Sequence, residues 1–204
     1  GTDSITFTID NTAPTVTLID TDSDNLVSGS NVVTITATFS ESMAAIPTIN
    51  ITGEVTNGVM TPSSTASVWI YPWTVSTTTS GIVSVTVAGE DLAGNDYVAG
   101  TQSITFTIDN TVPTVTLTDT DSDNLVSGSN VVTITATFSE SMGATPTISI
   151  SGSVTNVNMT ASSTANTWFY RWLVGESFDG IGYATVSGSD TSGNTYTGTD
   201  SITF

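Results

Sequence analysis

The chain lacks several chemical groups on which catalysis and ligand binding commonly depend. Its 204 residues include no cysteine, no histidine and a single basic residue, Arg171. These absences exclude a Ser-His-Asp triad, a cysteine nucleophile, a Schiff-base lysine and the usual zinc sites. No other pair of nucleophile and base stands out in the sequence. We therefore expect no catalytic residues and a protein that is not an enzyme.

The charge is almost entirely of one sign, with 19 acidic residues against one basic residue and a formal net charge of −18. A chain of this kind repels phosphate groups, so nucleic acid is not an expected partner. There is no run of 18 apolar residues, so we expect no membrane insertion. The class of ligand that remains favoured is a cation.

An internal repeat organises the sequence. The 24 residues from Asp20 to Met43 recur unchanged from Asp119 to Met142, at an offset of 99. One residue drops out of the second copy near Ala99. We expect residues 1–12 to be the end strand and linker of a preceding repeat, residues 13–109 to form the first repeat and residues 110–204 the second.

Apolar and polar residues alternate with a period of two, which predicts strands with one buried and one wet face. In one such run, Val33, Ile35 and Phe39 alternate with threonines, which keep strand propensity on the wet face. The pattern predicts strands over 14–19, 32–40, 48–52, 55–61, 67–75, 82–89 and 97–108. Seven short strands per repeat predict an all-β fold of two tandem immunoglobulin-like β-sandwich domains joined head to tail.

The acidic residues fall mainly in the segments between the predicted strands. An up-and-down strand count brings these segments together at the ends of each sandwich, where the carboxylates would repel one another. Ca²⁺ relieves this repulsion by binding six to eight oxygen atoms, whereas Mg²⁺ demands a stricter octahedral geometry. We therefore expect structural Ca²⁺ at the junctions, and the alternative is a solvated acidic surface. The candidate metal ligands are Asp10, Asp20, Asp22, Asp24, Asn25, Glu41, Asp91, Asn95, Asp109, Asn110, Asp119, Asp121, Asp123, Glu140, Asp190 and Asn194.

Three motifs resemble those of the bacterial immunoglobulin-like repeats found in large surface adhesins and cell-surface filament proteins. They are Asp-Asn-Thr-x-Pro-Thr-Val from Asp10, Ser-Glu-Ser-Met from Ser40, and Asp-x-x-Gly-Asn from Asp91. The resemblance implies a secreted, extracellular sandwich domain that acts as the stalk of an adhesin. It also implies that neighbouring repeats of the chain are its partners, with calcium at the linkers stiffening the array.

Other functions stay open from the sequence. The same seven residues, Gly-Thr-Asp-Ser-Ile-Thr-Phe, stand at 1–7 and 198–204, which suggests a self-assembling filament of several copies with lateral or donor-strand association. A glycan- or ice-binding module is a further alternative. Covalent glycans are also open, because Asn50 and Asn158 begin N-glycosylation sequons.

Overall fold

The computed structural model describes residues 2–98, 100–176 and 179–204, and these residues form strands and loops without an α-helix. The one-residue deletion near Ala99 lies outside the described residues. The chain divides into two compact units, unit 1 over Gly1–Asn110 and unit 2 over Thr111–Phe204, whereas the repeat places the boundary one residue earlier. The described part of the chain holds no apolar helix of membrane-spanning length.

The strands of unit 1 form two sheets. In chain order they are β1 (Val16–Asp20), β2 (Leu26–Val27), β3 (Val32–Phe39), β4 (Thr48–Ile51), β5 (Val55–Val59), β6 (Thr61–Pro62), β7 (Val68–Thr74), β8 (Gly81–Ala88) and β9 (Ile104–Ile108). One sheet has the order β1-β3-β7-β6 and the other the order β2-β9-β8-β4-β5. The short strand β2 runs parallel to β9, and the other pairings are antiparallel.

The two sheets of unit 1 pack face to face around one hydrophobic core. Ile35 on β3 and Ile49 on β4 are completely buried. The rings of Trp73 and Phe106, one from each sheet, lie 5.3 Å apart between centroids. The apolar members of the alternating runs therefore line the interior of a β-sandwich, as the period of two predicts.

Unit 2 repeats this arrangement with fewer strands. They are β10 (Val115–Asp119), β11 (Val131–Phe138), β12 (Thr147–Ile150), β13 (Val154–Asn158), β14 (Thr160–Ala161), β15 (Thr167–Leu173), β16 (Tyr183–Ser187) and β17 (Ser201–Thr203). The sheet orders are β10-β11-β15-β14 and β13-β12-β16-β17. Arg171 lies within β15, opposite Thr133 of β11. In contrast to unit 1, the described residues of unit 2 contain no strand equivalent to β2.

Two segments differ from the expected strands. Residues 2–15 form no strand, and Ile5, Phe7 and Ile9 are 82 %, 83 % and 82 % exposed. A strand requires a hydrogen-bonded neighbour, and the described structure provides none for this segment. The strand expected over 97–108 begins only at Ile104, and before it the hydroxyl of Tyr97 accepts a hydrogen bond from the amide of Gln102 at 3.1 Å.

Candidate metal centre

Three carboxylates meet at one end of unit 1. Asp10 precedes β1, Glu41 follows β3 and Asp91 follows β8, and one oxygen from each lies within 4.8 Å of the others. Two oxygens bound to the same Ca²⁺ at ~2.3–2.6 Å can be at most about 5 Å apart. The spacing of the three side chains is therefore compatible with a single shared ion.

Asp91 is the most firmly held member of this cluster. Only 1 % of its surface is exposed. Its Oδ1 accepts hydrogen bonds from the backbone amides of Ala93 at 2.8 Å and Asn95 at 2.9 Å. Gly94 closes the turn with a φ of 89°, a conformation that glycine adopts without steric cost. The Asp-Leu-Ala-Gly-Asn sequence thus builds a rigid turn around one carboxylate.

Asn95 connects two of the three acidic residues. Its Nδ2 donates to Oδ2 of Asp91 at 2.8 Å and to the backbone carbonyl of Asp10 at 3.3 Å. The side-chain amide nitrogen therefore orients the carboxylate of Asp91 and holds the backbone of Asp10 beside it. Asn95 was expected to be a metal ligand, and the structure assigns its nitrogen a positioning role.

The electrostatic environment acts in opposite directions on two of the carboxyl groups. Burial raises the pKa of Glu41, and the negative charges of Asp91 and Asp10 raise it further. Burial also acts to raise the pKa of Asp91, but hydrogen bonds from Asn95, Ala93 and Gly94 outweigh it and leave this pKa below its ordinary value. The environment of Asp91 thus favours its ionised form, whereas burial and the nearby negative charges favour the protonated form of Glu41.

A shallow surface cavity of about 450 Å³ lies beside the cluster, and it is lined by Thr8, Asp10, Glu41, Ser42, Leu92 and Ala93. Unit 1 contains no lysine, arginine or histidine side chain, so no side chain of this unit neutralises the carboxylates. A hard cation held here would take its remaining ligands from water and backbone carbonyls. The site offers no nitrogen or sulfur ligand.

The Asp20–Asn25 loop forms a separate arrangement. Oδ1 of Asp20 accepts from the amide of Asp22 at 2.9 Å, Oδ2 of Asp22 accepts from the amide of Asn25, and Oδ1 of Asp24 accepts from the amide of Leu26 at 3.1 Å. These carboxylates cap the backbone of their own loop. Within the described residues of unit 1, the metal-compatible cluster contains none of them.

The corresponding loop of unit 2 uses its acidic residues in the same way. Oδ1 of Asp119 accepts from the amide of Asp121 at 2.7 Å, and Oδ1 of Asp123 accepts from the amide of Leu125 at 3.1 Å. A local turn thus explains the Asp-x-Asp-x-Asp pattern in both repeats.

Asn110 closes unit 1. Its Oδ1 accepts from the amide of Gly29, and its Nδ2 donates to the carbonyls of Ser76 and Thr79. Asn110 was expected to be a metal ligand, but in the structure its side chain fastens two loops to the end of β9. Its position at a repeat boundary gave no signal of that role.

Two of the remaining candidate residues, in unit 2, make the same hydrogen bonds as their equivalents in unit 1. Asp190 in unit 2 is 3 % exposed, and its Oδ1 accepts from the amides of Ser192 and Asn194, both at 2.8 Å. Nδ2 of Asn194 donates to Oδ2 of Asp190 at 2.9 Å. Glu140 also belongs to unit 2, whereas Asp109 belongs to unit 1. The rigid aspartate turn is therefore common to both units.

Comparison with known proteins gives only structural likeness. No family model and no curated protein matches the chain. It is similar to the human OSCAR ligand-binding domain, at 11 % identity and a TM-score of 0.41, over 94 % of this chain and 97 % of that one. It is also similar to a chimeric titin Z1Z2 that carries a KLER peptide from decorin, at 13 % identity and a TM-score of 0.30, over 96 % of this chain and 95 % of that one.

Proposed function

We propose that the chain is a pair of immunoglobulin-like structural repeats from the stalk of a secreted bacterial surface adhesin, and that unit 1 binds Ca²⁺ through Asp10, Glu41 and Asp91. The observation that carries the cation site is the convergence of these three carboxylates within 4.8 Å in a unit without basic side chains. The repeat and its motifs support the stalk.

The role of the ion in this proposal is structural. The segment before β1 contributes Asp10, and the loops after β3 and β8 contribute Glu41 and Asp91. An ion shared by the three would fix the entering chain to the end of the sandwich. A stalk requires that the chain bend little where it enters each repeat. An ion that restrains the entering segment would limit this bending.

Calcium titration of the wild-type chain and of a triple variant, Asp10→Asn/Glu41→Gln/Asp91→Asn, tests the site. We expect calorimetric binding and a rise in Tm on adding CaCl₂ to the wild type, because a ligand of the folded state alone stabilises it. The triple variant should bind fewer Ca²⁺ ions and show a smaller rise in Tm. Equal binding by both proteins would contradict the assignment of these ligands.

The mechanical part of the proposal needs its own measurement. Small-angle X-ray scattering of the full chain should differ between calcium and EDTA, and the difference should be smaller for the triple variant. Identical wild-type profiles in the two buffers would mean that a bound ion does not restrain the chain, even if binding is observed.

A further inference from the structure

A shallow pocket of unit 2 lies beside the turn that joins β14 to β15. Its volume is about 330 Å³, within the range of about 300–1,000 Å³ that is usual for small-ligand sites. The indole of Trp168 lines it together with the polar side chains of Ser141, Ser163, Thr164 and Asn166. The lining residues, all within the described part of the chain, include no charged side chain. The pocket therefore favours a neutral ligand that has both an apolar face and polar groups.

The equivalent tryptophan of unit 1 is more deeply buried. Trp69 is 9 % exposed and belongs to the core of unit 1, whereas Trp168 is only partly buried and packs against the core of unit 2. Pro62 lies opposite Trp69 in the pairing of β6 with β7, and Ala161 lies opposite Trp168 in the pairing of β14 with β15. Directly opposed residues on neighbouring strands are in contact range. Because alanine lacks the ring of proline, it leaves more of the neighbouring indole uncovered.

A second difference between the units brings an amide group to the pocket. Asn166 takes the place of Ser67 in the turn before the tryptophan. Its φ is 56°, a left-handed conformation that asparagine adopts more readily than most residues. Oδ1 of Asn166 accepts a hydrogen bond from the hydroxyl of Ser141 at 3.2 Å. Within the described residues its Nδ2 has no hydrogen-bond partner, so this group can donate to a ligand.

Hydroxyl groups complete the polar side of the pocket. Oγ of Ser162 accepts from the amide of Thr164 at 3.2 Å, and the hydroxyl of Thr167 donates to the carbonyl of Ala165 at 3.1 Å. These two bonds hold the turn in place. The hydroxyls of Ser163 and Thr164 are on exposed residues and have no hydrogen-bond partner among the residues that the structure describes. Since a hydroxyl both donates and accepts, these two can pair with the hydroxyls of a ligand.

We propose that this pocket of unit 2 binds a neutral hexopyranose residue of a glycan. A hexopyranose presents C–H groups on the face of its ring and hydroxyls around its rim. The C–H groups pack against the electron-rich face of the indole of Trp168. The hydroxyls exchange hydrogen bonds with Nδ2 of Asn166 and the hydroxyls of Ser163 and Thr164. Because the pocket is shallow, the rest of the glycan extends into solvent.

This binding activity goes beyond the structural role proposed for the repeats. It does not rest on the proposed cation, because the pocket belongs to unit 2 and the ligands proposed for the cation belong to unit 1. The three differences around the two tryptophans, Pro62 to Ala161, Ser67 to Asn166 and Val68 to Thr167, distinguish the units. Two closely similar repeats would therefore differ in whether they bind a sugar, and unit 1 provides an internal comparison for unit 2.

Nitrogen-15 NMR of the indole N–H groups tests the site in the full chain, which has four tryptophans. The probes are the methyl glycosides of glucose, galactose, mannose and N-acetylglucosamine in both anomeric forms, added in EDTA. We expect at least one probe to shift the Trp168 signal saturably, with a millimolar dissociation constant because a small ligand makes few contacts. The Trp69 signal is the internal control. No saturable shift with any probe, or equal shifts of Trp69 and Trp168, would overturn the proposal.

Exchange of residues between the units tests which side chains form the site. The variant Ala161→Pro/Asn166→Ser/Thr167→Val gives unit 2 the residues that unit 1 carries at these positions. We expect it to bind the sugar about tenfold more weakly or less, with the other indole signals unchanged. Thr118→Ile is the matched control, since it also introduces the residue of unit 1 but at an exposed position outside the pocket. Equal binding by the exchanged variant and the wild type would contradict the site.

The reverse exchange tests whether the same three positions are sufficient. The variant Pro62→Ala/Ser67→Asn/Val68→Thr gives unit 1 the residues of the unit 2 pocket. We expect the Trp69 indole signal to become sensitive to the probe that shifts Trp168, with a similar dissociation constant. A Trp69 signal that stays unchanged in this variant would contradict the assignment of these positions. Because these readouts are sugar-dependent and made in EDTA, they succeed or fail independently of the calcium titration.

Discussion

At the scale of single residues, Glu41 is the member of the acidic cluster that opposes folding. Its pKa is raised by burial and by Asp91 and Asp10, so the folded state favours the protonated form. The resulting loss of stability grows as pH rises from the unfolded pKa of Glu41 to its folded pKa. A bound cation reverses this effect by pairing with the ionised form.

Glu41→Gln is therefore expected to raise Tm in EDTA at neutral pH and to abolish most of the Tm gain on adding CaCl₂. Thermal unfolding with and without the ion measures both effects. Glu90→Gln is the matched control, because Glu90 is exposed and outside the cluster. A lower Tm for Glu41→Gln in EDTA would mean that the crowding of charge is not the dominant effect.

Asp91→Asn should act with the opposite sign in the absence of a cation. The hydrogen bonds from Asn95, Ala93 and Gly94 hold the pKa of Asp91 below its ordinary value. Its ionised form therefore contributes stability above the unfolded pKa, and that contribution is lost as pH falls through the folded pKa. The variant should unfold at a lower Tm in EDTA at neutral pH, and the difference from wild type should shrink in acid. A constant difference across the pH range would argue against this charge effect.

Glu54 is an acidic residue whose role is not visible in the sequence. Its Oε2 accepts from Nε1 of Trp73 at 3.3 Å and from the amide of Ser76 at 3.0 Å. Ser153 takes the equivalent position in unit 2 and accepts only from Nε1 of Trp172, at 3.0 Å. The equivalent buried tryptophans, Trp73 and Trp172, thus donate their indole N–H to different side chains in the two units.

Removal of the Glu54 carboxylate should destabilise unit 1. Glu54→Ala leaves two donors without this partner, at a cost of about 1–3 kcal/mol. Ser153→Ala removes one neutral acceptor from unit 2 and should cost about 1 kcal/mol. Differential scanning calorimetry of the two variants measures the comparison, and a smaller loss for Glu54→Ala than for Ser153→Ala would contradict it.

At the scale of strands and loops, the sequence predicted the regular part of the fold. The period-two placement of apolar residues located β3, β4, β7 and β8, because alternating burial is a local property. The parallel pairing of β2 with β9 was not predicted, since it depends on a partner distant in sequence. The same reason explains why Asn110 was assigned to a metal rather than to the loops that it fastens.

The candidate site was predictable in part. The strand count grouped Asp10, Glu41 and Asp91 at one end of the first repeat, and in the structure the three carboxylates lie close together. The count could not distinguish them from the Asp20–Asn25 loop, because charge alone does not show whether a carboxylate caps a nearby amide. Hydrogen bonds such as that between Asp22 and Asn25 decide the difference.

Asn110→Ala tests the fastening of β9. The substitution leaves the amide of Gly29 and the carbonyls of Ser76 and Thr79 without this partner, and we expect a loss of about 2 kcal/mol or more in the free energy of unfolding. Asn11→Ala is the matched control, because Asn11 is the equivalent residue one repeat earlier and is exposed. Chemical denaturation in dilute solution measures both. Similar losses in the two variants would contradict the proposed role.

At the scale of the whole molecule, the net charge of −18 makes stability sensitive to ions in two distinct ways. General screening weakens repulsion among all the acidic groups and requires concentrated salt. Binding at a specific site requires only enough of the right cation to occupy it.

We expect NaCl to raise Tm gradually up to about 1 M, where the screening length is ~3 Å. CaCl₂ should raise it at a far lower ionic strength. The Asp10→Asn/Glu41→Gln/Asp91→Asn variant should keep the NaCl response and show a reduced CaCl₂ response. If wild type and variant respond alike to both salts, screening alone accounts for the effect of calcium.

The position of Arg171 has a consequence for proteolysis. It provides the only peptide bond that trypsin recognises, and β15 holds that bond in register with β11. A protease needs a locally unfolded segment, so cleavage should follow the opening of unit 2 and be insensitive to that of unit 1. The native chain therefore carries an internal reporter, since a single cut after Arg171 records the unfolding of one sandwich while the other remains intact.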